Sequence, residues 1–320
     1  MNLSGVRPRH WKSEFLSVLS WYFVNNSSDH TNESIADLSR FVQCPCCCST
    51  HWRVVWNNPT QKAILDWKEF MYGGRQFIGK ILQCEACGYR HVQAPTIGDG
   101  FYAHADVSCY NSLARARIRY FSELKVALCQ RGFILQDGAR MLDLGAGEGD
   151  WLAAWPEVKS RYATEMHPTL IRSMNERGIN TVPSLDRLAN MEFHLISAFD
   201  FLEHVEDPNR LLQHIHRRMV DGGAVVIGVP NMGKWAARLL GTRYYLYCPM
   251  HYSYFTEKAL RALLGRHFSQ VDIFLSPPMH TTLSGVAKWI LPKLQNAVLD
   301  KIWLPMGYRA SLIAIARKPL

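Results

Sequence analysis

Apolar positions repeat along this chain with two different periods, and the alternation between them sets out an architecture. From residue 140 onward, short apolar runs at 140–145, 160–165, 193–199, 223–229, 268–275 and 310–317 predict strands, with amphipathic helices between most of them. Runs apolar on both faces, separated by helices, predict an α/β domain whose mainly parallel sheet is covered on both sides. Ahead of it, Leu113, Ile118, Phe121, Leu124 and Leu128 recur at roughly helical spacing and end before Gly132, which predicts a helical connector. The chain therefore divides into an N-terminal helical extension (1–40), a cysteine-bearing module (41–110), the connector (111–137) and a main domain (138–320).

The first strand of the main domain runs into Asp143-Leu-Gly-Ala-Gly-Glu-Gly149. Three alternate glycines permit φ > 0 where the chain turns and remove the Cβ atoms that would keep a ligand from the backbone. Trp151-Leu-Ala-Ala-Trp155 then suits the first turns of a helix. In parallel sheets, ligands bind outside the carboxyl ends of the strands. Glu165 closes the second strand there, where an acid accepts hydrogen bonds from ribose hydroxyls or caps the helix that begins at Pro168.

Nine cysteines are unevenly placed, and they change the picture of the N-terminal part. Cys44-Pro-Cys-Cys47 and Cys84-Glu-Ala-Cys87 form two C-x-x-C pairs, which supply the four thiolates of a closed tetrahedral zinc site. Cys46 or Cys48 can substitute in the first pair, and His51 and His91 are weaker ligand candidates. A closed site leaves no coordination position for catalysis, so zinc here is expected to be structural. The long stretch between the pairs implies an inserted hairpin or loop around Gly73-Gly74.

Several segments in order carry a family resemblance. Leu142-Asp-Leu-Gly-Ala-Gly-Glu-Gly149, Glu165-Met-His-Pro168, Phe199-Asp-Phe-Leu-Glu-His-Val-Glu-Asp-Pro208, Gly222-Gly-Ala-Val-Val-Ile-Gly-Val-Pro-Asn231 and His251-Tyr-Ser-Tyr-Phe-Thr256 resemble class I S-adenosylmethionine (SAM)-dependent methyltransferases. Cys84-Glu-Ala-Cys-Gly88 followed by Tyr102 and Tyr110 resembles the zinc-ribbon preface of bacterial methyltransferases of sugar and polysaccharide pathways. The resemblance implies a Rossmann-like sheet, mostly parallel with its last strand antiparallel, and a small N-terminal zinc-ribbon-like module. It implies SAM held by Asp143, Gly145, Ala146, Gly147 and Gly149, with Glu165 and Met166 at the ribose and Phe199 and Asp200 beside the methionine end. One departure stands out: relatives begin the fourth strand Phe-Asp, whereas this chain has Phe193-His194. No clear acid for the adenine amino group precedes that strand, although Ser184 and Asp186 are nearby.

Methyl transfer to a hydroxyl or carbon acid needs a proton acceptor, and His204, with Glu203 beside it, follows the fourth strand on the cofactor side. An alternative joins Asp200, Glu203, His204 and His251, which resemble the metal set of ubiquinone-pathway O-methyltransferases and plant small-RNA 2′-O-methyltransferases. That alternative implies a catalytic divalent ion. The tyrosines and Arg243 of Gly241-Thr-Arg-Tyr-Tyr-Leu-Tyr-Cys-Pro249 form either a sugar-stacking wall or core packing.

Composition narrows the partners. With 48% apolar and 20% charged residues, the chain is globular rather than disordered. A net charge of +9 suits phosphate-bearing sugars, nucleic acid or an anionic surface. Its densest cluster, Arg115, Arg117 and Arg119, does not share one helix face, so a solvated basic surface is at least as apt a reading as a nucleic-acid site. Phe15–Val24 resembles a signal-peptide core, but no small-residue cleavage pattern follows, and no window reaches the roughly 18 apolar residues of a membrane span. The expected location is cytoplasmic. A helical stripe of Leu291, Leu294, Val298 and Ile302, with Lys288, Lys293 and Lys301 around it, reads as sheet-edge or dimer packing or as peripheral membrane contact over 288–304. The expected acceptor is a sugar or related small metabolite, free or carrier-linked. An RNA methyltransferase and a non-catalytic SAM-binding protein are the alternatives.

Overall fold

The computed structural model of the chain describes residues 43–58, 79–93, 107–188, 191–234, 247, 250–282, 303–305 and 311–320. Strands β4 (Arg140–Leu144), β5 (Ser160–Thr164), β6 (Asn180–Val182), β7 (Phe193–Phe199), β8 (Met219–Pro230), β10 (Gln270–Leu275) and β13 (Ser311–Arg317) form one sheet in the order β10-β13-β8-β7-β4-β5-β6. The pairings from β8 through β6 are parallel. β13 is antiparallel to both of its neighbours, so the last strand of the chain is the reversed one. The central strands carry buried apolar side chains on both faces, including Met141, Leu142, Leu195, Ile196, Val226, Ile227, Ile313 and Ala314. Two apolar clusters, one led by Leu142, Ile196 and Ile227 and the other by Met141, Leu195 and Val226, collect the alternate side chains of these strands.

Helices α1 (Ser108–Cys129), α2 (Asp150–Ala153), α3 (Pro168–Glu176), α4 (Pro208–Arg217) and α5 (Glu257–Leu264) lie between the strands. Their starts are set locally. Pro168 and Pro208 stand in first turns, where a missing N–H costs nothing, while Asp207 and Thr256 accept hydrogen bonds from Arg210 N and Ala259 N as caps. The helix predicted from Leu113 to Leu128 is α1, with Leu124 and Leu128 buried, but Ile118 points to solvent at 52% exposure and is not part of its core face. β6 was not predicted: at three residues with no fully buried side chain, it has too little apolar pattern to announce itself.

A second sheet, β1-β2-β3-β9, joins the two halves of the molecule. β1 (Trp52–Asn58), β2 (Gly79–Cys84) and β3 (Arg90–Gln93) come from the cysteine module, whereas β9 (Ser253–Tyr254) comes from the main domain. β11 (His280–Thr282) and β12 (Trp303–Pro305) make a separate antiparallel pair. The extension over 1–40, the insertion around Gly73-Gly74, Tyr102, Arg243 and the stripe over 288–302 lie outside the described residues. No helix among the described residues is long and apolar enough to cross a membrane.

Candidate functional site

The strand order reverses at β4. The chain moves outward to β5 and β6, then crosses to β7 on the other side, which opens a crevice between the carboxyl ends of β4 and β7. Residues 145–149 leave β4 on one side of it, and Asp200–His204 leave β7 on the other. Gly145, Gly147 and Gly149 have φ of 75°, 55° and 72°. At Gly149 a Cβ would also lie 3.0 Å from Ile179 Cδ1, so besides the left-handed backbone a side chain there would need that methyl to give way.

Glu165 is the anchor of this loop. It is 1% exposed, its Oε2 accepts from Gly147 N at 3.0 Å, and its Oε1 accepts from Met166 N and His167 N at 2.7 and 2.8 Å. Burial pushes its carboxyl up, against the pull of these three amides. The side chain therefore shapes the glycine loop and satisfies the amides that precede α3, a structural duty added to any contact with a ribose. Gly145 N donates to both the carbonyl and the hydroxyl of Thr164, tying the loop to β5. Below it, Asp143 accepts a 2.6 Å hydrogen bond from Ser197 Oγ, while burial raises its carboxyl to about 7. Arg117 is not solvated surface: it is buried, and its Nε donates at 2.7 Å to Asp150 Oδ2 at the start of α2. His194, at the start of β7, accepts a hydrogen bond from Arg140 N at 3.2 Å through its Nδ1.

Across the crevice, Asp200 adopts φ 48°, unusual for a residue with a Cβ. It is followed by a single 3-10 turn, Leu202–His204. Glu203, His204 and His251 have no exposure at all, and one ligand-capable atom from each lies within 4.8 Å of the others. Asp200 is not in that group, so only three of the four residues expected as a metal set converge. His204 Nδ1 lies 3.0 Å from Met250 O. A carbonyl only accepts, so Nδ1 carries the proton and Nε2 carries the lone pair. Burial lowers His204 to about 4, which keeps it neutral near pH 7. Burial, with the charge of Asp200 second, raises Glu203, and neither of its oxygens accepts a hydrogen bond from another of the described residues. The His204 and His251 rings meet edge to face with centroids 4.7 Å apart.

The two cysteine pairs come together. The thiols of Cys44, Cys47, Cys84 and Cys87 all lie within 4.8 Å of one another, with 3.6 Å between Cys44 and Cys87 and 3.5 Å between Cys47 and Cys84. Four thiolates around one zinc at roughly 2.3 Å would stand about 3.8 Å apart, so the set fits that ion. The two turns match. Cys48 N donates to Cys44 O and Gly88 N to Cys84 O, and Cys48 and Gly88 both have positive φ, 60° and 79°. Cys46 is buried and Cys48 exposed, and neither is in the set. Of the tyrosines near 244–247, Tyr247 is described: it is buried, packs on Tyr254, and accepts a hydrogen bond from Arg90.

Residues 113–267 match the family model of a methyltransferase domain. No curated protein matches the sequence. Similar solved structures include a SAM-dependent methyltransferase, possible histamine N-methyltransferase, from Thermotoga maritima, 16% identical over 67% of this chain and 96% of that one, with a TM-score of 0.44. A SAM-dependent methyltransferase from Archaeoglobus fulgidus is 21% identical over 65% and 100% of the two chains, with a TM-score of 0.42. The N-methyltransferase NodS from Bradyrhizobium japonicum is 15% identical over 66% and 98%, with a TM-score of 0.40.

Proposed function

We propose that this chain, a class I SAM-dependent methyltransferase by its domain match and fold, methylates a hydroxyl or carbon of a sugar or related small metabolite. The observation that carries the acceptor chemistry is His204. Its tautomer is fixed by Met250 O, and it holds a neutral lone pair at Nε2 beside the carboxyl end of β7. SAM supplies an electrophilic methyl on sulfur. The chain's part is to hold the acceptor in line with it, exclude water and take the acceptor's proton on His204 Nε2. Asp143, the glycine loop and Glu165 present the donor side, while Phe199 and Asp200 border the methyl end.

The sugar class is supported by the resemblance of the cysteine preface to sugar-pathway enzymes. The RNA alternative draws on the net charge of +9. Incubation with methyl-labelled SAM, offering a nucleotide-sugar mixture and total RNA side by side, separates them. Label is expected in the sugar fraction and insensitive to ribonuclease. Label in RNA, with binding that falls steeply with salt, would overturn the assignment.

A second reading has its own observation. Glu203, His204 and His251 offer a carboxylate and two imidazoles at close range, a donor set suited to a first-row divalent ion. Such an ion would bind an acceptor hydroxyl and make its proton more acidic. The cysteine centre is proposed as structural zinc. Metal analysis is expected to give about one zinc per chain, lost in the Cys84→Ser/Cys87→Ser variant. Zinc retained at full stoichiometry in that variant would remove these cysteines as ligands.

A further inference from the structure

The segment that carries His251 is held between the cysteine module on one side and, through the Asn231–Phe255 bridge and Met232 N donating to Phe255 O, the main domain on the other. β9 is two residues long and cannot fix its own backbone. It pairs with β3 through Arg90↔Tyr254 and His91↔Ser253, and Val92 N donates to Tyr252 O at 2.9 Å. Tyr89, two residues after Cys87, is fully buried, sits 2.6 Å from Ser253 Oγ through its hydroxyl, and packs on Phe255 at 5.4 Å. Thr256 Oγ1 donates to Cys87 O and Lys258 Nζ to Ala86 O, so the knuckle's own carbonyls grip the next turn. On its other side the same segment meets the crevice. Tyr252 N donates to Glu203 O at 2.8 Å, and Met250 O receives His204 Nδ1.

We propose that the cysteine hairpin is a positioning device for the transfer site. Through Tyr89 and the β3–β9 pairing, it sets the 250–256 segment and so places His251 and Met250 against His204. Tyr89 is then a positioning residue, acting through Ser253 and His251. The inference rests on the reading of His204 and His251 as site residues, and on the zinc reading only in the chelation arm below. Its physical basis is that a short, edge-paired segment takes its geometry from whatever is packed on both sides. Here one side is a metal-type knuckle whose turn would slacken without its ion.

The test uses the full chain with isotope-labelled histidine, the ring signals being assigned by single substitutions. Tyr89→Phe keeps the ring packing and removes only the hydroxyl. The His204 and His251 signals are expected to shift, while that of His194, hydrogen-bonded to Arg140 N at the amino ends of β7 and β4, stays in place. Affinity for S-adenosylhomocysteine (SAH) should remain within about twofold, because the donor loop shares none of these partners. Ser253→Ala should produce the same shifts, and the double variant should add nothing further. Chelation, and equally the Cys84→Ser/Cys87→Ser variant, which leaves Glu203, His204 and His251 untouched, should move the same two histidines more strongly, again with SAH affinity retained. A lowered melting temperature with unmoved histidine signals in both variants would reduce Tyr89 to a stability role and overturn the proposal. If no zinc is found but the Tyr89→Phe shifts appear, the zinc reading fails and the positioning role stands. If the shifts appear and His204→Ala keeps normal turnover, the positioning holds and the base assignment fails.

Discussion

Gly145→Arg is expected to abolish SAH binding in calorimetry while leaving the fold intact. Gly145 stands at φ 75°, a region that costs a side-chain-bearing residue about 1–2 kcal/mol. Its N–H is tied to Thr164 on β5, so the loop cannot relieve that strain without leaving the sheet edge. An arginine there must also project into the crevice or displace the loop that Glu165 holds through Gly147. The second readout is thermal. A ligand present at about a hundred times its dissociation constant stabilises the native state by about 2.7 kcal/mol, and the variant should lose that increment entirely. Unchanged circular dichroism would separate a lost site from a lost fold. Equal SAH binding by both proteins would sink the assignment of this loop.

That loop was legible because its signature is local. A buried strand, a carboxylate and alternate glycines sit within ten residues, although the side chains that anchor the turn, Thr164 and Glu165, come from the next strand. The cysteine pairs were legible for the same reason, since each C-x-x-C closes its own turn. Their choice among four crowded cysteines was not, because it depends on which thiols face the second knuckle. Contacts between distant segments left weaker marks. Tyr89 and Ser253 are 164 positions apart, and nothing in either neighbourhood names the other. Arg117 looked like surface because alternate arginines share no helix face, yet one of the three turns inward to Asp150. The burial of Asp150 at the start of α2, which draws Arg117 in, is set by the fold and leaves no mark in the sequence. His251 was visible only through resemblance, and its meeting with His204 and Glu203 required the fold.

His204→Ala is expected to lower turnover by roughly a hundredfold or more, with SAH affinity unchanged. The imidazole stands in the turn that follows β7, across the crevice from the glycine loop, so the loss should fall on the transfer step. The neighbouring variants decide how it acts. If Nε2 takes the acceptor's proton directly, chelators leave turnover intact once the cysteine centre is kept loaded. His251→Ala should then cost less than His204→Ala, because His251 meets the base ring to ring and does not itself take the proton. If the three side chains hold an ion, Glu203→Gln, His204→Ala and His251→Ala should fall together, and added divalent metal should restore chelated wild-type enzyme but none of the variants strongly. The structure makes this contest sharp, because Glu203 is a fully buried carboxylate with no hydrogen bond from another described residue. Burial raises its carboxyl because the charged form is costly there, and an ion would offset that cost on binding. Glu203→Gln is thus the most informative single change. It preserves shape and removes the charge, so it spares a direct base at His204 and disables a metal site. Near-normal turnover in both Glu203→Gln and His204→Ala would assign the cluster to packing alone.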